Sequence, residues 1–187
     1  MFAKGKNSLQ AEIDIQKAVL YEMIERFPNL IKDEIARYEN LLNTEAKEAA
    51  DGDTDIEMSY IRNSPYNDVI DFRYNVLLYH YYSLCLMIYA YAESTIFTIS
   101  ERENPCKGKI KGNYLEGHYN RIRSKYSKLP KLNKMWEEIS SFQKKRNLIA
   151  HKLRMQDMGE MQNYLKYNLQ CAYNLLCIVV NEINKPK

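Results

Sequence analysis

Apolar residues recur at helical spacing along almost the whole of this chain, and no stretch alternates as a half-buried strand does. Side chains three and four positions apart share one face of an α-helix, so this period predicts helices that pack through apolar faces. The last predicted helix carries the longest such set: Met161, Leu165, Leu169, Ala172, Leu176, Val179 and Ile183. The sequence therefore predicts an all-α, up-and-down helical bundle.

The N-terminal part of the chain is predicted to hold two helices and a long loop. Pro28 interrupts the first apolar stripe, and Asn29 can cap the helix that follows. The two stripes are Leu9, Ile13, Leu20, Met23 and Phe27, and then Ile31, Ile35, Tyr38 and Leu42. From residue 50 to residue 71 the period fades among aspartates, Gly52 and Pro65, which indicates a loop.

The remaining helices are predicted from residue 71 onward. A long third helix, apolar over much of its circumference, runs from near Asp71 to Asn104-Pro105 and is expected to be central. A shorter helix precedes Pro130, another begins just after that proline, and Gly159 separates it from the last helix. The sequence thus predicts extra N-terminal helices and a long loop in residues 1–70, followed by the remaining helices.

Length and composition favour one soluble domain over residues 1–187. A chain of 187 residues can bury a substantial core, and 45% hydrophobic with 27% charged residues is typical of soluble globular proteins. The net charge of +3 is too small to indicate a generic nucleic-acid binder. No apolar segment follows the lysines of residues 1–8, and the apolar stretch 76–91 contains His80 and many tyrosines. We therefore expect a cytoplasmic protein without a membrane span.

No metal or cofactor is predicted. The cysteines at 85, 106, 171 and 177 lack zinc-site spacing and are expected to be reduced thiols. Asp51, Asp53 and Asp55 resemble half of a calcium loop, but Arg62 stands where such a loop needs a bidentate glutamate. No glycine-rich phosphate loop is present. His80 is interpreted as a hydrogen-bonded core histidine, and for His118 the sequence indicates no partner.

Arg146 is the residue whose position most needs a chemical reason. At helical spacing it belongs to an otherwise apolar stripe formed by Met135, Ile139, Phe142, Arg146, Ile149 and Leu153. A guanidinium cannot lose its charge, so a buried one requires a carboxylate, a phosphate or a shielded partner surface. Glu93 is the carboxylate within the apolar run 84–99 and is our predicted partner for Arg146, either as a support of a site or as a structural salt bridge alone.

His151 follows Arg146 on the same predicted helix. Asn147 and His151 lie one turn apart on one face, whereas Arg146 is rotated by roughly 140° from His151 about the helix axis. This arrangement cannot by itself bring both side chains to one small atom, although a long arginine near the edge of a cleft could reach round. Two copies packed across a symmetric groove could do so, which favours a homodimeric site.

These residues carry a resemblance to a known family. The run Arg146-Asn147-Leu148-Ile149-Ala150-His151 resembles the R-x4-H signature of the HEPN superfamily, in which a polar residue follows the arginine. Trp136 and Phe142 before the motif, Glu93 in the preceding apolar helix and the helix after the motif agree with it. The resemblance covers roughly residues 71–183 and implies a HEPN-like all-helical core.

The resemblance implies a metal-independent endoribonuclease that acts as a homodimer in toxin, phage-defence or RNA-processing systems, with a possible neutralising antitoxin protein. It implies that His151 transfers a proton at the 2'-hydroxyl or the leaving 5'-oxygen and that Arg146 holds the scissile phosphate. It also implies that the amide of Asn147 orients either the histidine or the phosphate. The flanking phosphates of RNA would be bound by Lys144, Lys145, Lys152 and Arg154.

Two alternatives remain open at this point. The same helices could form a noncatalytic interaction or dimerisation module, in which the 16 tyrosines supply amphipathic contact area. A nucleotide-binding regulator would also use an Arg/Lys pocket, but the chain lacks a phosphate cradle.

Overall fold

The structure, a computed structural model, describes residues 6–103, 114–125 and 158–184, together with six single residues between the last two ranges. The helices are α1 (Lys6–Ala50), α2 (Thr54–Asn63), α3 (Tyr66–Glu103), α4 (Tyr114–Lys125) and α5 (Met158–Asn184). The single residues are also helical: Trp136, Glu137, Ser140, Ser141, Lys144 and Asn147. No strand occurs in these ranges, and the all-α prediction is confirmed.

The hydrophobic core lies where α3 packs against α1, α4 and α5. Side chains from all four helices join one cluster, and Ile24, Leu84, Ile88 and Leu165 are fully buried within it. Burial of apolar surface is the main favourable contribution to folding. In contrast, α2 contributes no buried residue and lies on α1.

Pro28 does not end the first helix, so the prediction of two separate helices here is wrong. Proline removes the N–H that would bond to the carbonyl four residues earlier, which is that of Ile24. The side-chain amide of Gln162 in α5 donates to this Ile24 oxygen at 3.0 Å. His80 in α3 donates from Nε2 to the neighbouring Met23 oxygen at 3.1 Å. Donors from two other helices therefore bond to carbonyls at the proline, and α1 continues to Ala50.

Further polar contacts fasten α5 to α1 beside Pro28. Glu25 forms an ion pair with Lys166, and the hydrogen bond from Lys166 lowers the pKa of the Glu25 carboxyl. Lys32 donates to the Gln162 side-chain oxygen at 3.5 Å. The ring of His80 lies 4.2 Å from that of Phe27. His80 is thus a half-buried, hydrogen-bonded histidine at the α1–α3 contact, as the sequence indicated.

The long loop predicted over residues 50–71 is wrong, because this segment contains α2. Asp51 and Gly52 form a tight turn with positive φ angles of 45° and 91°. Asp53 then caps α2, since its carboxylate accepts from the backbone N–H groups of Asp55 at 2.9 Å and Ile56 at 3.2 Å. These aspartates serve as a turn and a helix cap.

Polar contacts hold α2 in place. The hydroxyls of Tyr60 and Tyr66 donate to the two carboxylate oxygens of Glu45 in α1 at 2.9 and 3.0 Å. The pKa of each tyrosine is raised, chiefly because its hydroxyl donates to this carboxylate. Two tyrosines from different helices thus share one acceptor, and this arrangement fixes α2 and the start of α3 against α1.

Two further boundaries differ from the predictions. α3 begins at Tyr66, about a turn before Asp71, and ends at Glu103, immediately before Asn104-Pro105. α5 begins at Met158, so Gly159 lies in its first turn instead of ahead of it. The apolar positions predicted for the last helix do lie on α5, where Leu165, Leu169, Leu176 and Val179 are buried.

Candidate functional site

The structure describes only part of the predicted site. Lys144 and Asn147 are both helical and exposed. The other motif and basic residues, Arg146, His151, Lys145, Lys152 and Arg154, lie outside the described residues, as does the predicted apolar stripe around Arg146.

Lys144 and Asn147 are two of four exposed helical residues that the structure describes between residues 137 and 147. Glu137, Ser141 and Lys144 are exposed and follow one another at intervals of four and three residues, and Asn147 comes three residues later. Such spacing places successive side chains on one side of a helix. Both side chains are reachable from solvent, so the Lys144 ammonium and the Asn147 amide N–H can each donate to phosphate oxygens.

Trp136, which precedes these residues in the chain, packs against α4. Its ring stacks on that of Tyr119 with the ring centroids 4.2 Å apart and the planes 5° from parallel. Tyr119 is 1% exposed, and Trp136 is half-buried. Stacking of two large aromatic rings adds about 0.5–1.5 kcal/mol to the free energy of their burial. The start of the motif-bearing segment is therefore anchored to a buried residue.

Glu93 lies in α3 and is half-buried. Its predicted partner Arg146 is outside the described residues, so the pairing stays a prediction. No hydrogen bond or ion pair joins Glu93 to another residue in the described part of the chain.

His118 has a partner that the sequence did not indicate. Its Nδ1 forms a hydrogen bond of 3.0 Å with the hydroxyl of Ser100 in α3, and both residues are buried. The edge of one ring faces the other in its contact with Phe97, 4.8 Å between centroids. A serine next to a histidine is also the pattern of an activated nucleophile. Here Ser100 is 0% and His118 1% exposed, so the pair serves packing between α3 and α4.

The pKa of His118 is lowered in the folded protein. Removal from water disfavours the imidazolium and lowers the pKa of His118, the nearby Arg121 charge lowers it further, and Glu101 opposes the shift. Arg121 and Glu101 form an ion pair of 2.9 Å beside the histidine. The pair spans α4 and α3, so protonation of His118 would add a third charge at a contact between these helices.

The stability of the protein is expected to fall as the pH drops below about 6.5, the ordinary pKa of histidine. Because the pKa of His118 is lowered in the folded state, the unfolded chain binds the proton first. Stability from this group is therefore complete above about 6.5 and is lost as the pH falls toward the folded pKa, at about 1.4 kcal/mol for each unit of difference. Urea unfolding between pH 7.5 and 5 measures the slope.

His118→Gln is the matched control, because glutamine can bond to Ser100 but does not titrate. The other two histidines are common to both proteins, so the difference in slope belongs to His118. Equal slopes in the two proteins would show that His118 titrates alike in the folded and unfolded states.

A groove and a pocket are among the concave surfaces of the described part of the chain, and neither Lys144 nor Asn147 lines them. A groove of about 400 Å³ lies between α1 and α3, and a pocket of about 460 Å³ lies on α2 around Ile56 and Tyr60. The groove is lined by Ile15, Gln16, Val19, Leu20, Met87, Ala90, Tyr91 and Ser94. Among the described residues no group of His, Cys, Asp and Glu side chains could hold a metal ion.

No protein-family model, curated protein or solved structure matches this chain. The resemblance of residues 146–151 to the HEPN signature therefore stays a prediction.

One helix of the described ranges, α3, is long and apolar enough to cross a membrane by length and composition alone. Its most apolar window is 56% buried inside the protein. The core helix of a soluble protein has the same properties.

Proposed function

We propose that this protein is a metal-independent endoribonuclease of HEPN type, which acts in the cytoplasm as a homodimer in a toxin or phage-defence system. The proposal depends on Arg146, Asn147 and His151 standing in one R-x4-H run of a helical chain. The observation that supports it most is the exposure of Asn147 and Lys144 on one helical face. Side chains that contact an RNA backbone must be reachable from solvent.

The proposed reaction is transesterification at the RNA 2'-hydroxyl. The 2'-oxygen attacks the adjacent phosphorus, its proton passes to a base, the bond to the 5'-oxygen breaks, and that oxygen receives a proton. The products are a 2',3'-cyclic phosphate and a 5'-hydroxyl. Histidine exchanges protons near neutral pH, which suits His151. The guanidinium of Arg146 stabilises the charge that develops on the phosphate oxygens, with contributions from both copies of a dimer.

The half-buried Glu93 fits this scheme as the carboxylate that holds Arg146 in position. Lys144 and the basic residues Lys145, Lys152 and Arg154 would bind flanking phosphates without reading sequence. A neutralising antitoxin protein is the partner that this class of enzyme implies.

Cleavage of labelled single-stranded RNA in the presence of a chelator tests the proposal. The wild type is expected to cleave, whereas Arg146→Ala and His151→Ala should each lower the rate about a hundredfold or more, as loss of one charge stabiliser typically does. Lys144→Gln should weaken RNA binding, and this effect should shrink at high salt. Lys47→Gln in α1 is the matched control, since Lys47 is an exposed lysine in the last turn of that helix.

The chemical groups at the ends of the RNA fragments identify the reaction. A cyclic phosphate product agrees with the proposed attack, whereas a free 3'-hydroxyl and 5'-phosphate contradict it. Absence of cleavage on single-stranded RNA and on total transfer RNA, with all variants folded by circular dichroism, rejects the nuclease.

A noncatalytic interaction module is the second candidate, and one observation favours it. The face of α3 beside the α1–α3 groove is exposed and apolar, with Tyr79 59% and Leu86 46% exposed. Apolar patches of this kind often mark contacts between proteins.

A further inference from the structure

One face of α3 is exposed over seven helical turns and carries no charge. It consists of eight exposed residues, here called the α3 stripe: Phe72, Asn75, Tyr79, Ser83, Leu86, Ala90, Ser94 and Phe97. Successive members are three or four residues apart, so they share one side of the helix. The sequence between Arg73 and Glu93 contains no charged residue. A solvated helix face normally carries charged residues, so this one is unusual.

Three polar members of the α3 stripe, Ser83, Ser94 and Asn75, already donate hydrogen bonds within their own helix. Ser83 donates to the Tyr79 oxygen at 3.0 Å, and Ser94 donates to the Tyr91 oxygen at 3.4 Å. The side-chain amide of Asn75 donates to the Asp71 oxygen at 3.0 Å. Burial is costly for polar groups that lose water without gaining a partner. Ser83, Ser94 and Asn75 would keep these hydrogen bonds when the stripe is covered, which lowers the free-energy cost of burying it.

The spacing of the α3 stripe is the same read in either direction. The intervals between its members are 3, 4, 4, 3, 4, 4 and 3 residues. A two-fold axis perpendicular to the helix relates each position to a mirror-placed one, as an isologous contact requires. About an axis between Leu84 and Cys85, Tyr79 faces Ala90 of the second copy and Leu86 faces Ser83. At these central positions large side chains oppose small ones, which is how facing helices interdigitate, whereas Phe72 and Phe97 face each other at the two ends.

The α1–α3 groove can accommodate the Tyr79 side chain of the second copy. It lies beside Ala90, the position that Tyr79 of the second copy would face, and Ile15, Val19 and Met87 form its apolar lining. Gln16 also lines it and offers a polar group for the tyrosine hydroxyl. Tyr79 is 59% exposed in the single chain and can enter such a groove.

The exposed apolar area is large enough for a dimer. Phe72, Tyr79, Leu86, Met87 and Phe97 on α3 are 62, 59, 46, 39 and 37% exposed, and Ile15 and Val19 of the groove are 64 and 53% exposed. With ~150–250 Å² for a whole aromatic side chain, these residues present on the order of 600 Å² of surface. This is at the top of the range for monomers, ~300–600 Å², and approaches the ~800 Å² that each partner buries in a stable interface.

We propose that the α3 stripe is the interface of an antiparallel homodimer in which Tyr79 of each copy occupies the α1–α3 groove of the other. Continued at the same spacing beyond its two ends, this face reaches Asp68 and Glu101, which is paired with Arg121, and the exposed Asp71 lies beside Phe72. They form the polar rim that surrounds the core of an interface. This proposal does not rest on the ribonuclease proposal, because neither Arg146 nor His151 belongs to the stripe; an active site that uses both copies of the motif would need a second contact between the copies.

Sedimentation equilibrium of the full chain at micromolar concentration tests the dimer. The wild type should have twice the 22.2 kDa mass of the chain. Leu86→Lys should raise the dimer dissociation constant at least about a hundredfold, because two buried unpaired ammonium groups then lie near the axis. Leu30→Lys is the matched control, since Leu30 is 63% exposed on α1 and lies outside the stripe and the groove. Its mass should equal that of the wild type.

Disulfide cross-linking tests the register. Residues 79 and 90 of one chain are roughly 16 Å apart along α3, too far for a disulfide within the chain. Oxidised Tyr79→Cys/Ala90→Cys should therefore run as a covalent dimer on a non-reducing gel. Each single variant should run as a monomer, because residue 79 of one copy is as far from residue 79 of the other copy as it is from residue 90 of its own chain, and the same holds for residue 90. The wild type, which has no cysteine at either position, should also run as a monomer.

Several results would overturn the proposal. A monomeric wild type does so, as does a dimer that persists in folded Leu86→Lys. Absence of the cross-link in a dimeric double variant rejects the stated register. Lipid vesicles provide one more control: a monomeric wild type that binds phosphatidylcholine vesicles, with binding lost in Leu86→Lys, would assign the face to a membrane surface.

Discussion

Leu84→Ala should lower the free energy of unfolding by about 2–5 kcal/mol, whereas Leu86→Ala, two residues later, should change it by less than about 0.5 kcal/mol in the monomer. Leu84 is 0% exposed within the core cluster, and Leu86 is 46% exposed. Truncation of a buried leucine removes its burial energy and leaves a cavity, whereas truncation of an exposed one leaves neither. Urea unfolding followed by circular dichroism measures both values.

The comparison is made at nanomolar protein concentration, where a dimer would dissociate. At higher concentration Leu86→Ala should cost more if the α3 stripe is an interface, and Leu84→Ala should not change further. Equal denaturant slopes confirm that both variants unfold from the same folded state. A Leu86→Ala cost as large as that of Leu84→Ala would mean that α3 is rotated from the orientation described above.

This pair also shows where the sequence was sufficient and where it was not. The third helix was predicted from its apolar residues, and its end before Asn104-Pro105 agrees with Glu103 as the last residue. An apolar residue on every side, however, does not tell which side is buried. Leu84 and Leu86 look alike in the sequence, and only the packing of α1, α4 and α5 distinguishes them.

The errors near the N-terminus have a common physical cause. Pro28 and the segment 50–71 were interpreted from local rules alone, by which proline breaks helices and polar residues form loops. In the structure, distant side chains override those rules. Gln162 and His80 donate to carbonyls near Pro28, and Glu45 accepts from two tyrosines at α2. A pattern within one segment does not reveal such partners.

The predictions about the candidate site likewise divide into those that follow from local spacing and those that depend on partners on other helices. Helical spacing was enough to predict a helix that carries Lys144 and Asn147, and both residues are helical. A pair between Glu93 and Arg146 depends on how two helices approach each other, and it stays a prediction. The same holds for contacts like that of His118 with Ser100, which joins residues 18 positions apart on different helices. A short motif therefore indicates chemistry more readily than it indicates partners.

Gln162→Leu should lower the free energy of unfolding by about 1–3 kcal/mol, the usual cost of a buried polar group that loses its partner. Leucine is close in size to glutamine but cannot donate to the Ile24 oxygen, and Ile24 is 0% exposed. Lys32→Met is the matched control, because it removes only the 3.5 Å contact to Gln162. It should cost less than about 0.5 kcal/mol, as surface substitutions usually do.

A double-mutant cycle with Pro28→Ala tests whether the cost of Gln162→Leu arises from the unsatisfied Ile24 carbonyl. Alanine restores the backbone N–H that proline lacks, so the Ile24 carbonyl regains a donor within α1. In that background Gln162→Leu should cost at least about 1 kcal/mol less than in the wild type, because only in the wild type does it leave the carbonyl unsatisfied. If the cost is the same in both backgrounds, the amide stabilises the protein through its other contacts, with Glu25 and Lys32, and α1 tolerates Pro28 for a different reason.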